Sequence, residues 1–311
     1  MQAKLLLLGA LAVAVLAAQN QPVLGEDAVK CRTMFGRSWD GPTSPSLSAT
    51  GLHSSSIRVS GRPKILMAWR GLLSSWDAWA LTFVLAVIVP TLGYIRFRQL
   101  PSGGDQVAPL RVKLRLYVNI VCVQWFLAGA MLVILWHHGL SAGDAGERIG
   151  DSRLTFGGTF ALLIVLAIVS CVVLWRLERL QPAALNAAVG RMRKLVPAFG
   201  LEMAAFVVVC LTAGVCEELL YRGWLVNILR AATGSIWAAV VASAIVFGMG
   251  HAYQGAIAML RTGFVGLQLA ILYVVVGSLI PGQVLHAGVD LLVGVAGALA
   301  VSRLSAAEAQ L

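Results

Sequence analysis

Hydrophobic residues recur along the chain in long uncharged blocks, and most charged residues collect in the segments between them. Most blocks are close to the about 17 to 25 residues that a helix needs to cross the hydrocarbon core of a bilayer. A helix satisfies its own backbone hydrogen bonds in lipid, so the pattern predicts an all-α, polytopic transmembrane bundle of about seven helices. The predicted spans are 78–95, 116–136, 154–175, 195–216, 235–250, 262–283 and 284–302.

The amino-terminal part of the chain has a different pattern. Residues 1–18 combine an early lysine, an apolar stretch and two small residues before a polar one, which resembles a secretory signal peptide. Residues 19–76 are rich in Ser, Gly and Arg and are predicted to be disordered. A translation start at Met67 is an alternative interpretation of the same residues. The rest divides into amino-terminal transmembrane helices and loops (77–194), a catalytic transmembrane unit (195–302) and a tail (303–311).

Composition excludes a soluble globular protein. The chain is 59% hydrophobic and 12% charged, against about 45–50% and 25% for soluble domains. Disordered and collagen-like classes are excluded by the hydrophobicity and by the lack of a glycine period. Five cysteines in 311 residues are too few for a dense disulfide framework.

The net charge of +10 comes mainly from loops. One basic loop has Arg96, Arg98, Arg111, Lys113 and Arg115, and the other has Arg176, Arg179, Arg191, Arg193 and Lys194. Positive loops stay in the cytoplasm, which predicts these two loops inside and the amino-terminal segment outside, in a bacterial inner membrane. Basic patches interleaved with aromatic residues are not seen, so the expected partner is the lipid bilayer and not nucleic acid.

Ionisable residues are concentrated in the last four spans. The first three spans hold no acid, base or histidine, and their polar residues Asn119 and Gln124 are interpreted as interhelical hydrogen-bonding groups. An ionised side chain at mid-membrane costs about 2.5–3.5 kcal/mol, so it indicates a functional site or a paired structural one. The candidates are Glu217, Glu218, Arg222, His251, His286 and Asp290.

The spacing of these residues suggests how they meet. Glu218 and Arg222 are four apart and can pair on one helix face, either as a structural couple or as part of the chemistry. Glu217 points elsewhere and has no local partner, which makes it the candidate general base. A hairpin folding near residue 233 would place Glu217 and His251 both about 24 to 27 Å from the turn, where they can share a water. Phe247 lies one turn before His251.

His286 and Asp290 repeat the spacing of four residues. The carboxylate can orient the imidazole, as it does for catalytic and metal-bound histidines, or the two can form a polar contact between helices. Simple hairpin counting does not bring His286 to the depth of Glu217. The glycines at 255, 263 and 266 and the charge of Arg261 predict a broken or displaced segment that would let the chain return.

Three motifs are therefore present in order: Glu217-Glu218-Leu-Leu-Tyr-Arg222, Phe247-Gly-Met-Gly-His251 and His286-Ala-Gly-Val-Asp290. They resemble the EExxxR, FxxxH and Hxxx[ND] motifs of the CAAX protease and bacteriocin-processing family of intramembrane endopeptidases. The resemblance covers roughly residues 195–302. It implies type II CAAX prenyl endopeptidase activity, or that of a bacterial relative, on a peptide or protein substrate with or without a prenyl group.

The resemblance also implies roles for the residues. Glu217 and His251 would activate the attacking water, while His286 and Asp290 would stabilise the oxyanion, supported by Glu218, Arg222 and Phe247. An ionised Asp290 cannot donate a hydrogen bond to an oxyanion, so it must be protonated, orient His286 or bind a metal.

Two questions stay open at the level of sequence. Glu217, His251 and His286 could hold a divalent metal such as zinc, or a metal-free glutamate and histidine pair could do the work. A transporter or proton relay is the alternative function, which internal repeats would favour, and none is seen. A non-catalytic partner or immunity protein of the same fold is a further alternative, although Glu217 and both histidines are retained.

Overall fold

The computed structural model describes residues 63–99, 109–150, 152–180 and 195–308. The predicted signal-like segment, residues 19–62 of the predicted disordered segment and the last residues of the tail lie outside this part of the chain. Residues 63–74 lie inside it and are helical, so the prediction of disorder is wrong for them. Within it, the residues form helices joined by turns and short loops, with no strand. The prediction of an all-α fold is confirmed.

Eight helices build the described part of the chain. They are α1 (Pro63–Gly71), α2 (Trp76–Gln99), α3 (Leu110–His137), α4 (Arg153–Arg176), α5 (Leu201–Thr233), α6 (Ile236–Gly250), α7 (Ala256–Val276) and α8 (Ile280–Glu308). Six of them, α2 to α5 with α7 and α8, are long and apolar enough to cross a membrane. The shorter apolar helix α6 completes the predicted number of about seven.

Helix boundaries in the second half differ from the predicted ones. Helix α5 continues past residue 216 to Thr233, where Gly234 ends it in a left-handed conformation with φ +72°. Helix α8 begins at Ile280 and not at 284, since Pro281 needs no backbone donor in a first helical turn.

The broken segment predicted around glycines 255, 263 and 266 is confined to the first of these glycines. Helix α7 runs unbroken through Gly263 and Gly266, and the break is the short turn from His251 to Gly255, whose φ is +97°. Gly263 instead allows α7 to pack closely against α6, because a Cβ on Gly248 of α6 would lie 3.0 Å from the Cα of Gly263. Small residues at this contact allow the two helices to approach closely.

Helix α5 changes its winding at the candidate site. Residues Glu218–Val226 form a π-helical segment that starts directly after Glu217. Side chains donate to two carbonyls of this segment: Ser243 Oγ to the Tyr221 oxygen and Asn227 Nδ2 to the Gly223 oxygen, each at 2.8 Å. These bonds help satisfy a backbone that departs from the regular α-helical ladder.

The hydrophobic core surrounds this segment of α5. Trp224 is fully buried, packs edge-on against Trp69 of α1 at 5.7 Å between ring centroids, and donates from Nε1 to Thr82 Oγ1 of α2 at 3.1 Å. At the other end of α5, buried Glu202 pairs with Lys113 Nζ of α3 at 2.6 Å. Helix α5 is thereby fixed to α1, α2 and α3 at residues outside the candidate site.

Candidate active site

A cavity of about 320 Å³ lies between α2, α3, α5 and α6. Glu217 of α5 and His251, at the end of α6, both line it. The structure therefore brings together the two residues that were predicted to lie at the same distance from the hairpin turn. Its lining residues are Val89, Leu92, Gly93, Arg96, Phe97, Leu116, Asn119, Ile120, Val123, Gln124, Leu195, Glu217, Tyr221, Gly250, His251 and Tyr253.

The two oxygens of Glu217 have different surroundings. Oε1 accepts a hydrogen bond of 2.6 Å from Gln124 Nε2 of α3. Oε2 is buried, accepts no hydrogen bond from the described residues, and lies 3.8 Å from Nε2 of His286. One oxygen therefore fixes the carboxylate while the other remains as an acceptor, which is the arrangement that a general base requires.

Glu218 contacts two partners through one oxygen. Its Oε1 lies 2.9 Å from Nη1 of Arg222, which confirms the predicted pair, and 2.9 Å from Nδ1 of His286. The exposed fraction of the Glu218 and Arg222 side chains is 1% each, so both charges are removed from solvent. Helix α8 approaches Glu218 through Gly282, where a Cβ would lie 3.2 Å from Oε2 of Glu218.

Arg222 has two further partners. Its Nη2 donates to the carbonyl oxygen of Gly266 on α7 at 3.0 Å, and its guanidinium lies 4.3 Å from the ring centroid of Phe247. A Cβ on Gly266 would lie 2.7 Å from the Phe247 ring and 3.3 Å from Arg222 Nη2. Glycine at 266 is therefore needed for the arginine to reach the backbone of α7.

Phe247 packs between the two histidines. Its ring centroid is 4.9 Å from that of His251 and 5.8 Å from that of His286. His251 Nδ1 lies 2.9 Å from the carbonyl oxygen of Phe247, and because a carbonyl can only accept, Nδ1 is the donor. A neutral His251 then carries its lone pair on Nε2.

His286 has carboxylates on both sides of its ring. Its Nδ1 faces Glu218, and its Nε2 lies 3.6 Å from Asp290 Oδ2 and 3.8 Å from Glu217 Oε2. The predicted contact between Asp290 and His286 is therefore present, and Glu218 of the neighbouring helix is a second carboxylate partner, on the other ring nitrogen. The Asp290 side chain is 42% exposed, and neither it nor His286 is among the described residues that line the cavity.

The side chains of the candidate site do not form a metal-binding group. Among the described residues, no three His, Cys, Asp or Glu side chains are arranged as a metal-binding group. Glu217, His251 and His286 therefore do not fit the three-ligand zinc site considered from the sequence.

Sequence reasoning missed the contribution of α2 and α3. Gln124 does bond between helices, as predicted, but its acceptor is the candidate base itself, and no local pattern could show a partner 93 residues away. Tyr253, in the turn after α6, stacks on His251 at 6.0 Å and contacts Phe97 of α2 at 5.3 Å. Burial raises the pKa of Tyr253 to about 12, so its hydroxyl stays protonated.

Part of the chain matches a known protein family. Residues 199–292 match the family model described as type II CAAX prenyl endopeptidase Rce1-like, and this range includes all three motifs. No curated protein and no solved structure gave a significant match. The family match supports a membrane-embedded protease over a transporter or proton relay. The chain is therefore an integral membrane protein whose residues 199–292 match the Rce1-like family of type II CAAX prenyl endopeptidases.

Proposed function

We propose that this protein is an intramembrane endopeptidase of the CAAX type, in which Glu217 and His251 activate a water molecule. The observation that carries the proposal is the state of Glu217: Gln124 holds one oxygen, and the other accepts no hydrogen bond from the described residues. His251 lines the same cavity. A carboxylate and an imidazole beside one cavity can bind a water between them and take up its proton.

The proposed reaction consumes one water for each peptide bond. Glu217 accepts a proton as the water oxygen attacks the carbonyl carbon, and His251, donating from Nδ1 to Phe247, accepts a hydrogen bond from that water at Nε2. The tetrahedral intermediate collapses when Glu217 returns the proton to the leaving nitrogen. The carbon–nitrogen bond then breaks, and the products are a carboxylic acid and an amine.

His286 is the proposed donor to the oxyanion. With both ring nitrogens protonated, Nδ1 donates to Glu218, while Nε2, which faces Glu217 and Asp290, can donate to the developing negative charge. In this proposal Asp290 is the counter-ion of the imidazole and not an oxyanion donor. Glu218 and Arg222 are positioning residues, because they hold His286 in place and contact no reacting atom.

The surroundings of the site suggest where the substrate lies. Many of the cavity residues that come from α2 and α3 are aliphatic, which suits an extended apolar peptide or a lipid-modified one. The proposed substrate is a peptide or protein with or without a prenyl group, cleaved within the bilayer. We place the two basic loops in the cytoplasm of a bacterium, as the charge distribution predicts.

The decisive experiment compares two carboxylate-to-amide variants. Purified protein in detergent is incubated with a peptide library, and the products are identified by mass spectrometry. Glu217→Gln, which keeps the size of the side chain but removes the base, is expected to abolish cleavage. Asp144→Asn is the matched control, because Asp144 lies in the loop between α3 and α4 and does not line the cavity.

Both variants must elute and unfold like the wild type, so that loss of folding is not mistaken for loss of the base. Equal products from wild type and Glu217→Gln would contradict the proposed function. Retained cleavage by wild type and Asp144→Asn, with none by Glu217→Gln, is the expected result. Sensitivity to chelators, followed in the same assay, tests the metal-free mechanism separately.

A further inference from the structure

The cavity lined by Glu217 and His251 also has one positively charged side chain on its wall. Arg96 of α2 is the only lysine or arginine among its described lining residues. The side chain is exposed, and it forms no hydrogen bond or ion pair with another described residue. Arg98, two positions further on, lies instead over the ring of Tyr94 at 5.4 Å and does not line the cavity.

The end of α2 that carries Arg96 is docked against the wall formed by His251. A Cβ on Gly93 would lie 4.0 Å from the carbonyl oxygen of Gly250, the residue before His251. Arg96 is three residues further along the helix, about 4.5 Å by the helical rise. Phe97 contacts Tyr253, which stacks on His251.

These contacts place Arg96 close enough to the reacting groups for one bound peptide to reach both. An extended peptide advances about 3.3 Å per residue, so a group a few residues from the cleaved bond can reach Arg96. The guanidinium fork matches a carboxylate in two parallel hydrogen bonds. Glu217, the only carboxylate among the described lining residues, repels a substrate anion and so directs it toward the arginine.

We infer that Arg96 binds a carboxylate of the peptide substrate, either its carboxyl terminus or an Asp or Glu side chain near the cleaved bond. The contact orients the peptide in the cavity and selects which bond lies against Glu217. This inference rests on the proposed function, since it deepens the specificity of the same site.

The test uses matched peptides in a zwitterionic detergent. One peptide has a free carboxyl terminus, one has a terminal amide, and a second pair carries Asp or Asn near the cleaved bond. If Arg96 binds the carboxyl terminus, wild type is expected to prefer the free-acid peptide over the amide, and if it binds a side chain, the Asp peptide over the Asn peptide. In either case kcat/KM for the anionic peptide is expected to be roughly tenfold or more above that of its neutral match. Arg96→Gln is expected to remove this preference, while Arg98→Gln, the control, retains it.

Two results would overturn the inference. One is an unchanged preference in Arg96→Gln, and the other is a wild type that does not discriminate in either peptide pair. Addition of an anionic lipid provides a further check: if Arg96→Gln lowers cleavage of anionic and neutral peptides equally, and only when that lipid is present, the arginine binds a headgroup and not the substrate.

A binding measurement separates this inference from the proposed function. Fluorescence anisotropy of labelled peptides is followed with Glu217→Gln and with Glu217→Gln combined with Arg96→Gln. Tighter binding of the anionic peptide that disappears in the double variant supports the subsite even if wild type cleaves nothing. Cleavage by wild type with equal binding of both peptides supports the hydrolase and overturns the subsite.

Discussion

Glu218 connects three helices at the level of single residues. One of its oxygens lies at hydrogen-bonding distance from both Arg222 on its own helix and His286 on α8, while Arg222 continues to the backbone of α7. A buried ion pair contributes little by itself, because desolvation offsets the attraction. Removing one partner alone is costly, however, since the other charge is then buried without compensation.

We therefore predict that Glu218→Leu lowers the free energy of unfolding by about 3–5 kcal/mol, because Arg222 is left buried and unpaired. The double variant Glu218→Leu with Arg222→Met is expected to lose less than the sum of the two single variants. Unfolding in detergent, followed by circular dichroism, measures both effects. Additive losses would show that the two side chains do not act as a pair.

Gln124 is expected to act on catalysis more than on stability. Gln124→Met keeps the length of the side chain but removes the donor to Glu217 Oε1. Because a hydrogen bond to a charged group is lost, kcat is predicted to fall roughly tenfold to a hundredfold, with a smaller change in KM. Steady-state kinetics on a cleaved peptide measure the two constants.

The neighbouring Trp125→Phe is the control for this prediction. It removes a hydrogen bond of 3.3 Å from Trp125 Nε1 to Thr212 Oγ1 that joins the same two helices, without touching Glu217. Equal kinetic losses in both variants would mean that Gln124 only holds α3 against α5. A loss confined to Gln124→Met supports a positioning role.

At the level of helices, local periodicity predicted some contacts and not others. The spacing of four residues correctly paired Glu218 with Arg222, because these two side chains lie on one helix. The same spacing paired His286 with Asp290, but it could not show that Glu218 also contacts His286, since that contact depends on how closely α8 crosses α5. Nor does the sequence pattern reveal that the winding of α5 changes to π immediately after Glu217.

The close crossing of α5 and α8 depends on Gly214. A Cβ there would lie 2.6 Å from the carbonyl oxygen of Gln283 and 2.8 Å from the Cβ of Ala287, on either side of His286 in sequence. We predict that Gly214→Leu forces the helices apart, lowers stability by about 1–3 kcal/mol or more, and reduces peptide cleavage because His286 moves away from Glu218.

Gly129→Ala in α3 is the matched control, because nothing lies within 4 Å of the added Cβ. It is expected to be neutral or to stabilise the helix by about 0.5–1 kcal/mol. Thermal unfolding and cleavage rate are measured for both variants. A Gly214→Leu protein with wild-type stability and activity would contradict the role of this crossing.

At the level of the whole molecule, the cavity is built from two parts of the chain. Ten of its sixteen lining residues come from α2 and α3, outside the residues 199–292 that match the family. The motifs in the second half identified the carboxylates and histidines, because ionisable residues are rare in apolar spans. The wall formed by α2 and α3 was not predictable, since half of its residues are the ordinary aliphatic side chains of a membrane helix.

The position of this wall leads to a prediction about the side from which substrate enters. Arg96 and Phe97 are near the end of α2, and Leu116 is near the start of α3, so the cavity extends toward these two helix ends. The same helix ends carry the first of the two basic clusters proposed to be cytoplasmic. A membrane-impermeant fluorogenic peptide should therefore be cleaved by inverted membrane vesicles and not by right-side-out vesicles.

Detergent should abolish the difference, and vesicles with Glu217→Gln should be inactive throughout. Equal cleavage by intact vesicles of both orientations, or cleavage by right-side-out vesicles alone, would show that the cavity does not open to that side.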